Sequence, residues 1–392
     1  MEVIPVWKTR SRARWIGAVT AGVLMATTFL TGAATAASAQ TDSDGWEVSP
    51  VRALRGQADL TGVVAFGPSD AWAVGYTGGN STVSTLTLHW DGTRWLRIPS
   101  PNRSARENWL FGVAGTSPND VWATGYDIGP DGKHRTLVLH WDGARWRIVP
   151  SPTVEGQDAT LNKVVALSPT NAWAVGSTIA WPFTGRTLVQ HWDGRTWSTV
   201  ASPSPGTDGL GSFLLDVAAT SADDVWAVGD YDTGDGTMRT LTERWDGTRW
   251  TVVKSPAPGE GSLLSSVATG PRGQVWSVGW QQDGAEQTPL VLRWDGDAWS
   301  AVDMSGLPAD ASLGDVRVVG SNDIWTVGSQ AGQTLAAHWN GDTWTASPSA
   351  SPGSVANAFA DVATIPGTNC LWAVGQFTNG DLGRPLVEHH CE

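Results

Sequence analysis

The chain has 392 residues, 41% of them hydrophobic and 16% charged, with 46 Gly, 22 Pro and a formal net charge of −13. So much apolar surface excludes disorder, and Gly at about one residue in nine without a period of three excludes a collagen-like repeat. The acidic balance disfavours nucleic acid and anionic membrane surfaces as partners.

In chain order, the first element predicted is a leader. Lys8, Arg10, Arg12 and Arg14 form a basic stretch, an apolar run follows from Trp15 to Leu30, and Ala37-Ser38-Ala39 supplies a small-residue cleavage site. Residues 1–39 read as a secretory signal peptide; an uncleaved anchor is the alternative, but the apolar run is marginal for spanning. Without the leader, 21 basic residues face 37 acidic ones.

A unit then recurs seven times, centred on Trp72, Trp122, Trp173, Trp226, Trp276, Trp325 and Trp372, at spacings of 50, 51, 53, 50, 49 and 47 residues. Twelve residues before each of the first six stands a Leu (Leu60, Leu110, Leu161, Leu214, Leu264, Leu313), and in the seventh Phe359 stands thirteen before Trp372. Each of the first six units continues into a second signature, seen as His89-Trp90-Asp91-Gly92-Thr93-Arg94-Trp95 and His140-Trp141-Asp142-Gly143-Ala144-Arg145-Trp146. Each unit reads as four strands. The first is Leu-x-x-Val-Ala; the second is Val-Trp-Ala-Val-Gly, stopped by its Gly. The third alternates with period two, and Asp-Gly, a strong hairpin signal, turns it into the fourth. Four short strands at about 50-residue intervals predict an all-β, seven-bladed β-propeller over residues 40–392.

The seventh unit ends its third strand at His390-Cys391, without an Asp-Gly-x-x-Trp continuation. The missing piece is Asp44-Gly45-Trp46-Glu47-Val48-Ser49-Pro50, so the N-terminal strand is expected to complete the last blade. Cys370 and Cys391, the only two Cys, fall opposite each other on that hairpin and predict a disulfide. A reactive thiol or metal pair is the rival reading.

These repeats resemble kelch and galactose-oxidase-like propellers. They also resemble the seven-bladed bacterial lectins with Trp-rich repeats, through His191-Trp192-Asp193-Gly194-Arg195-Thr196-Trp197 and its siblings. The resemblance covers nearly all of 44–392 and implies a secreted bacterial propeller. It departs from kelch in lacking the double-Gly signature. A copper-radical oxidase would need a Tyr-Cys cross-link and further ligands, and a sialidase would need a Tyr nucleophile with an Arg cluster. Neither set is found.

Candidate functional residues lie where the loops between strands two and three, and between blades, emerge on one face. Tyr76, Tyr126, Tyr231, Trp280 and Phe377 follow strand two, Trp109 ends the loop into the second blade, and Trp181 lies mid-loop. Of the 25 Trp, only Trp109, Trp181 and Trp280 fall outside the leader and the repeat. Exposed aromatics suit stacking on sugar rings or clamping a peptide; packing on adjacent blades is the alternative. Arg135, Arg186, Arg239 and Arg384 recur in rim loops, where they could hold a carboxylate or sulfate or tie loop to blade. His89, His140, His191, His338 and His389 recur at every angle of the ring and read as structural. No cofactor is expected. Asp230–Gly236 has the oxygen-rich look of a calcium loop, but its spacing departs from the EF-hand and no bidentate Glu follows.

The expectation is an extracellular, monomeric, non-catalytic recognition protein, with carbohydrate as first ligand class and an extracellular protein or peptide as second. The alternatives are a protein-interaction scaffold and a secreted lyase or hydrolase acting on polysaccharide. The enzyme would draw on His134, Tyr126, Tyr231, Asp230 and Arg186.

Overall fold

The computed structural model describes residues 45–52, 54, 56–79, 82–180, 184–206 and 211–391. The expected signal peptide and Trp181 lie outside them. Seven four-stranded antiparallel sheets form the blades of a propeller. Blade 1 runs from its inner strand, Gln57–Gly67, through Asp70–Gly79 and Thr82–Trp90 to a short outer strand, Trp95–Arg97. Blades 2 to 6 repeat this order over 108–148, 158–200, 212–252, 261–301 and 311–347. In blade 7 the inner three strands are Ala356–Ile365, Cys370–Asn379 and Leu382–Cys391, and the outer strand is Glu47–Val48 from the N-terminus. Glu47 pairs with His389 and Val48 with Glu388, so the ring is closed by the expected split blade. Among the described residues no helix is long and apolar enough to cross a membrane.

Tryptophan joins the blades. Each second-strand Trp packs on the Trp pair that brackets the Asp-Gly turn of the following blade. Trp72 lies 4.7 Å from Trp141 and meets Trp146 edge-on at 5.2 Å. Trp122 does the same with Trp192 and Trp197, and Trp372 with Trp90 and Trp95 across the closure. At the sixth interface the pair is Trp46 and His390, at 5.8 and 4.8 Å from Trp325. The recurrent His stacks on the other side of the second-strand Trp, as His140 does on Trp122 at 4.1 Å. In four of these histidines Nε2 meets an Asp or Asn at the start of strand two, Asp120 for His140 and Asn171 for His191, whereas His389 faces Glu47 at 3.9 Å. That confines these rings to a structural role. In the Asp-Gly turns, Asp91 Oδ1 accepts from the N–H groups of Thr93 and Arg94, and Gly92 takes φ 91°. Cys370 and Cys391 are register partners and form the expected disulfide.

The second strand departs from the sequence reading. Its Gly does not end it; the strand runs on to Gly79 in blade 1 and Ile128 in blade 2. A β-bulge in the inner strand, between Leu60 and Gly62 and at the equivalent place in every blade, presses a carbonyl against that glycine. A Cβ on Gly75 would lie 2.0 Å from the Asp59 carbonyl oxygen. Glycine is there for close approach, and the aromatics beyond it lie on paired strand. The outer strands are short, ending before Ser100-Pro101 in blade 1 and Ser151-Pro152 in blade 2.

Two acids occupy apolar positions of the third strand. Leu88, Leu139 and Leu292 are buried there in other blades, whereas blades 4 and 7 have Glu243 and Glu388. Neither Glu243 oxygen has a partner, and burial pushes its carboxyl up to about 8. Glu388 also rises to about 8 through burial, opposed by the Ala350 N–H. A carboxyl protonated when folded and ionised when unfolded costs stability as pH climbs from the ordinary carboxylate range towards 8. Gln190, at the same position in blade 3, donates from Nε2 to the Pro152 carbonyl at 2.7 Å. Glu243→Gln should therefore raise the thermal midpoint by a few degrees at about pH 8.5 and leave it within about 1 °C at about pH 4.5. Calorimetry across that range checks it; a pH-independent difference would contradict it.

Candidate functional site

Because side chains alternate along a strand, the first residue after the second-strand Gly shares the face of the core Trp and looks towards the next blade. Tyr76, Tyr126, Asp230 and Trp280 hold that position, while Tyr231 and Phe377, one residue later, look back. This parity sorts the candidates. Tyr76 comes within 4.0 Å of Trp109 on the inner strand of blade 2. Trp109 pairs in register with Tyr126 and lies nearly parallel to it, at 6.0 Å and 16°. Phe111 sits 5.7 Å from Tyr126, and His134 stacks on Tyr126 at 4.1 Å. Tyr76, Trp109, Tyr126 and His134 thus form one aromatic shelf across blades 1 and 2.

The shelf is edged by acids. Trp109 Nε1 donates to Glu107 Oε2 at 3.0 Å, the His134 N–H donates to Asp158 Oδ1 at 2.8 Å, and Asp59 is the register partner of Tyr76. Burial, then the charge of Asp59, pushes the Tyr76 hydroxyl far above its usual range; burial, then Glu107 and Asp158, does so for Tyr126. Burial lowers the His134 imidazole, with Asp158 and Glu107 opposing. Burial raises Asp59, with Tyr76 and Gln57 opposing. All the shelf rings are therefore neutral near pH 7. Just outside His134 lies an open cleft of about 310 Å³, lined by Pro130, Lys133, Arg135, Val154, Glu155 and Gln157.

The other candidates are elsewhere. Tyr231 packs on the core between blades 3 and 4, Phe377 on that between blades 6 and 7, and Trp280 lies opposite Leu263 in blade 5. Of the residues considered for catalysis, Tyr126 and His134 touch. Arg186 is exposed on blade 3, and Asp230 and Tyr231 point to opposite faces of blade 4. Burial and Asp232 push Asp230 up to about 7. Three of the four rim arginines are tied down. Arg135 shares the buried Asp127 with Arg103, Arg239 donates to the Ala257 and Gly259 carbonyls, and Arg384 donates to that of Leu54. In the oxygen-rich loop, Asp232 accepts from the Gly234 and Gly236 N–H groups and Asp235 from the Thr237 N–H. Among the described residues no three His, Cys, Asp or Glu side chains gather into a metal-binding group.

Sequence reasoning missed the channel. The inner-strand bulge turns one residue per blade towards the axis: Gly62, Gly112, Lys163, Asp216, Ser266, Asp315 and Asp361. Inner strands have an unpaired edge, and the aspartates serve it. Asp216 Oδ2 accepts from the Val267 N–H, Asp315 Oδ2 from Val362 and Asp361 Oδ2 from Val63, each in the next blade at 2.8–2.9 Å. Lys163 reaches across the channel from blade 3 to Asp361 of blade 7 at 3.2 Å. Ser266 Oγ contacts both Asp216 and Asp315. A hydroxyl has one proton, so one of these carboxyls must supply another. Burial, outweighing Lys163, raises Asp216 and raises Asp361 well above its usual range. Asp315 is held low because Lys163 and Arg317 outweigh its burial. A cavity of about 300 Å³ surrounds these groups. The one signal for them in the sequence is the variable third residue of the Leu-x-x-Val strand.

No family model matches the chain, and no curated protein is detectably similar to it. Its fold resembles that of YCF48 bound to D1 peptide, with 14% identity, TM-score 0.56, and coverage of 90% of this chain and 98% of that one. It also resembles the WD40 repeats of RRP9, with 12% identity, TM-score 0.57, and coverage of 90% and 99%. A polysaccharide lyase of the ulvan-lyase family, bound to a GlcA(1-4)Rha3S saccharide, has 10% identity, TM-score 0.56, and coverage of 88% and 93%. At such identities the likeness is one of fold, and this fold carries binding proteins and enzymes alike.

Lys163→Met would leave the channel carboxylates without their central cation. It should cost about 3–5 kcal/mol in equilibrium unfolding, and adding Asp361→Asn should recover part of the loss. Unchanged stability in the single variant would contradict this account of the channel.

Proposed function

We propose that the protein is an extracellular, non-catalytic recognition module that binds carbohydrate on the shelf formed by Tyr76, Trp109, Tyr126 and His134. The observation that carries this reading is the contiguity of these rings. Tyr76 is buried and serves as a floor, whereas Trp109, Tyr126 and His134 remain partly exposed. A row of neutral rings with polar groups at its edge matches the alternation of apolar C–H faces and hydroxyls on a sugar chain. The dispersal of Arg186, Asp230 and Tyr231 away from Tyr126 and His134 favours binding over catalysis by that set, since catalytic groups need a common point of convergence. A disulfide is compatible with an oxidising, extracellular setting.

Isothermal titration with neutral oligosaccharides, chosen from a glycan array and a peptidoglycan pull-down, tests the proposal. Trp109→Ala should weaken the selected glycan at least about tenfold, as loss of a stacking ring does. Arg249→Ala, on the opposite face, should not. Blank results from both screens, or a Trp109→Ala protein that binds as the parent does, would overturn the reading.

A further inference from the structure

We propose that the aromatic shelf selects glycans bearing a free, protonated amino group, such as chains of glucosamine, over neutral or acidic ones. The inference rests on the carbohydrate reading above and goes further, naming the ligand's charge. Aromatic faces carry negative quadrupole density and attract cations. Four such rings stand together here, and their border is acidic. Glu107 holds Trp109 through Oε2, and its Oε1 has no hydrogen-bond partner among the described residues. Asp158 holds the His134 backbone through Oδ1, and its Oδ2 faces Lys133 Nζ at 3.9 Å. Asp59, beside Tyr76, has its Oδ1 buried without a partner.

Two of the cations near this border are engaged. Arg103 and Arg135 both close on Asp127, which is completely buried between them. Lys133, beside the shelf, is already near Asp158, while Arg106, next to Glu107, is exposed. Burial lowers the His134 imidazole below its ordinary value, so near pH 7 it adds a ring rather than a charge. A uronate or sulfate on the shelf would face Glu107 and Asp158. A neutral sugar would stack equally well but leave the free Glu107 oxygen unused. An ammonium group over the rings satisfies both features.

The test compares, by isothermal titration at about pH 5.5 and low salt, a glucosamine hexamer, its N-acetylated counterpart, a galacturonate hexamer and hexalysine. The glucosamine hexamer should bind about tenfold more tightly than the N-acetylated one, the range expected for a cation over several rings beside carboxylates. Raising the salt should weaken it selectively, because exposed charge pairs are screened. Glu107→Gln, which keeps an acceptor for Trp109, and Glu107→Gln with Asp158→Asn should bring the glucosamine hexamer towards the affinity of its N-acetylated counterpart. Salt dependence in the parent protein answers the same question if the double variant fails to fold. Equal affinity for the two hexamers, or preference for galacturonate, would overturn the inference and leave the carbohydrate reading standing. Hexalysine binding as tightly as the glucosamine hexamer would overturn it in favour of a basic peptide. No binding by any of the glycans would overturn both.

Discussion

Everything in this molecule depends on one repeated contact: a second-strand Trp wedged against the Trp pair of the next blade. A four-stranded blade cannot cover its own two faces, so its stability comes from its neighbours. Rings of this size bury roughly 150–250 Å² each. The indole Nε1 atoms of Trp72, Trp122, Trp173, Trp226, Trp276 and Trp372 have no hydrogen-bond partner. Ring packing, with its edge-to-face geometry, holds these side chains in place. At the sixth interface the same contact is assembled from two ends of the chain, with Trp46 stacked on His390 at 5.4 Å and both set against Trp325.

The remaining architecture follows from placing seven such wedges around an axis. The inner strands must come close together there, and their edges face a channel instead of a further strand. The bulge that follows each Leu, or Phe359, has two effects. It pins the second-strand Gly against an inner-strand carbonyl, and it turns inward the three aspartates that accept from neighbouring N–H groups, with Lys163 paired to one of them. The most charged place inside the protein is thereby a joint between blades.

Much of this was legible in the sequence, because it is local and periodic. The blade count, the hairpins, Trp46 as the missing outer strand and the disulfide all come from spacing and residue type. Other features depend on how blades meet. The Gly of Val-Gly looked like a strand end, since glycine usually is one, and only the bulge opposite it explains why the strand continues. The channel residues vary from blade to blade, so no repeat draws attention to them. Glu243 and Glu388 sit where the pattern calls for Leu. Tyr76, Trp109 and Tyr126 meet because they occupy adjacent blades and face the right way, whereas Tyr231 and Phe377, a single residue further along their strands, are turned into the core.

The shelf is therefore a local asymmetry on a nearly symmetric ring, and its use depends on the ring being rigid and closed. The most direct test of that premise is equilibrium unfolding of Trp46→Ala beside Trp197→Ala, a wedge residue whose own blade is one continuous stretch of chain. The account predicts that both variants lose stability to a similar extent, about 3–5 kcal/mol, as large buried aromatics do. A Trp46→Ala protein as stable as the parent, alongside a destabilised Trp197→Ala, would contradict it.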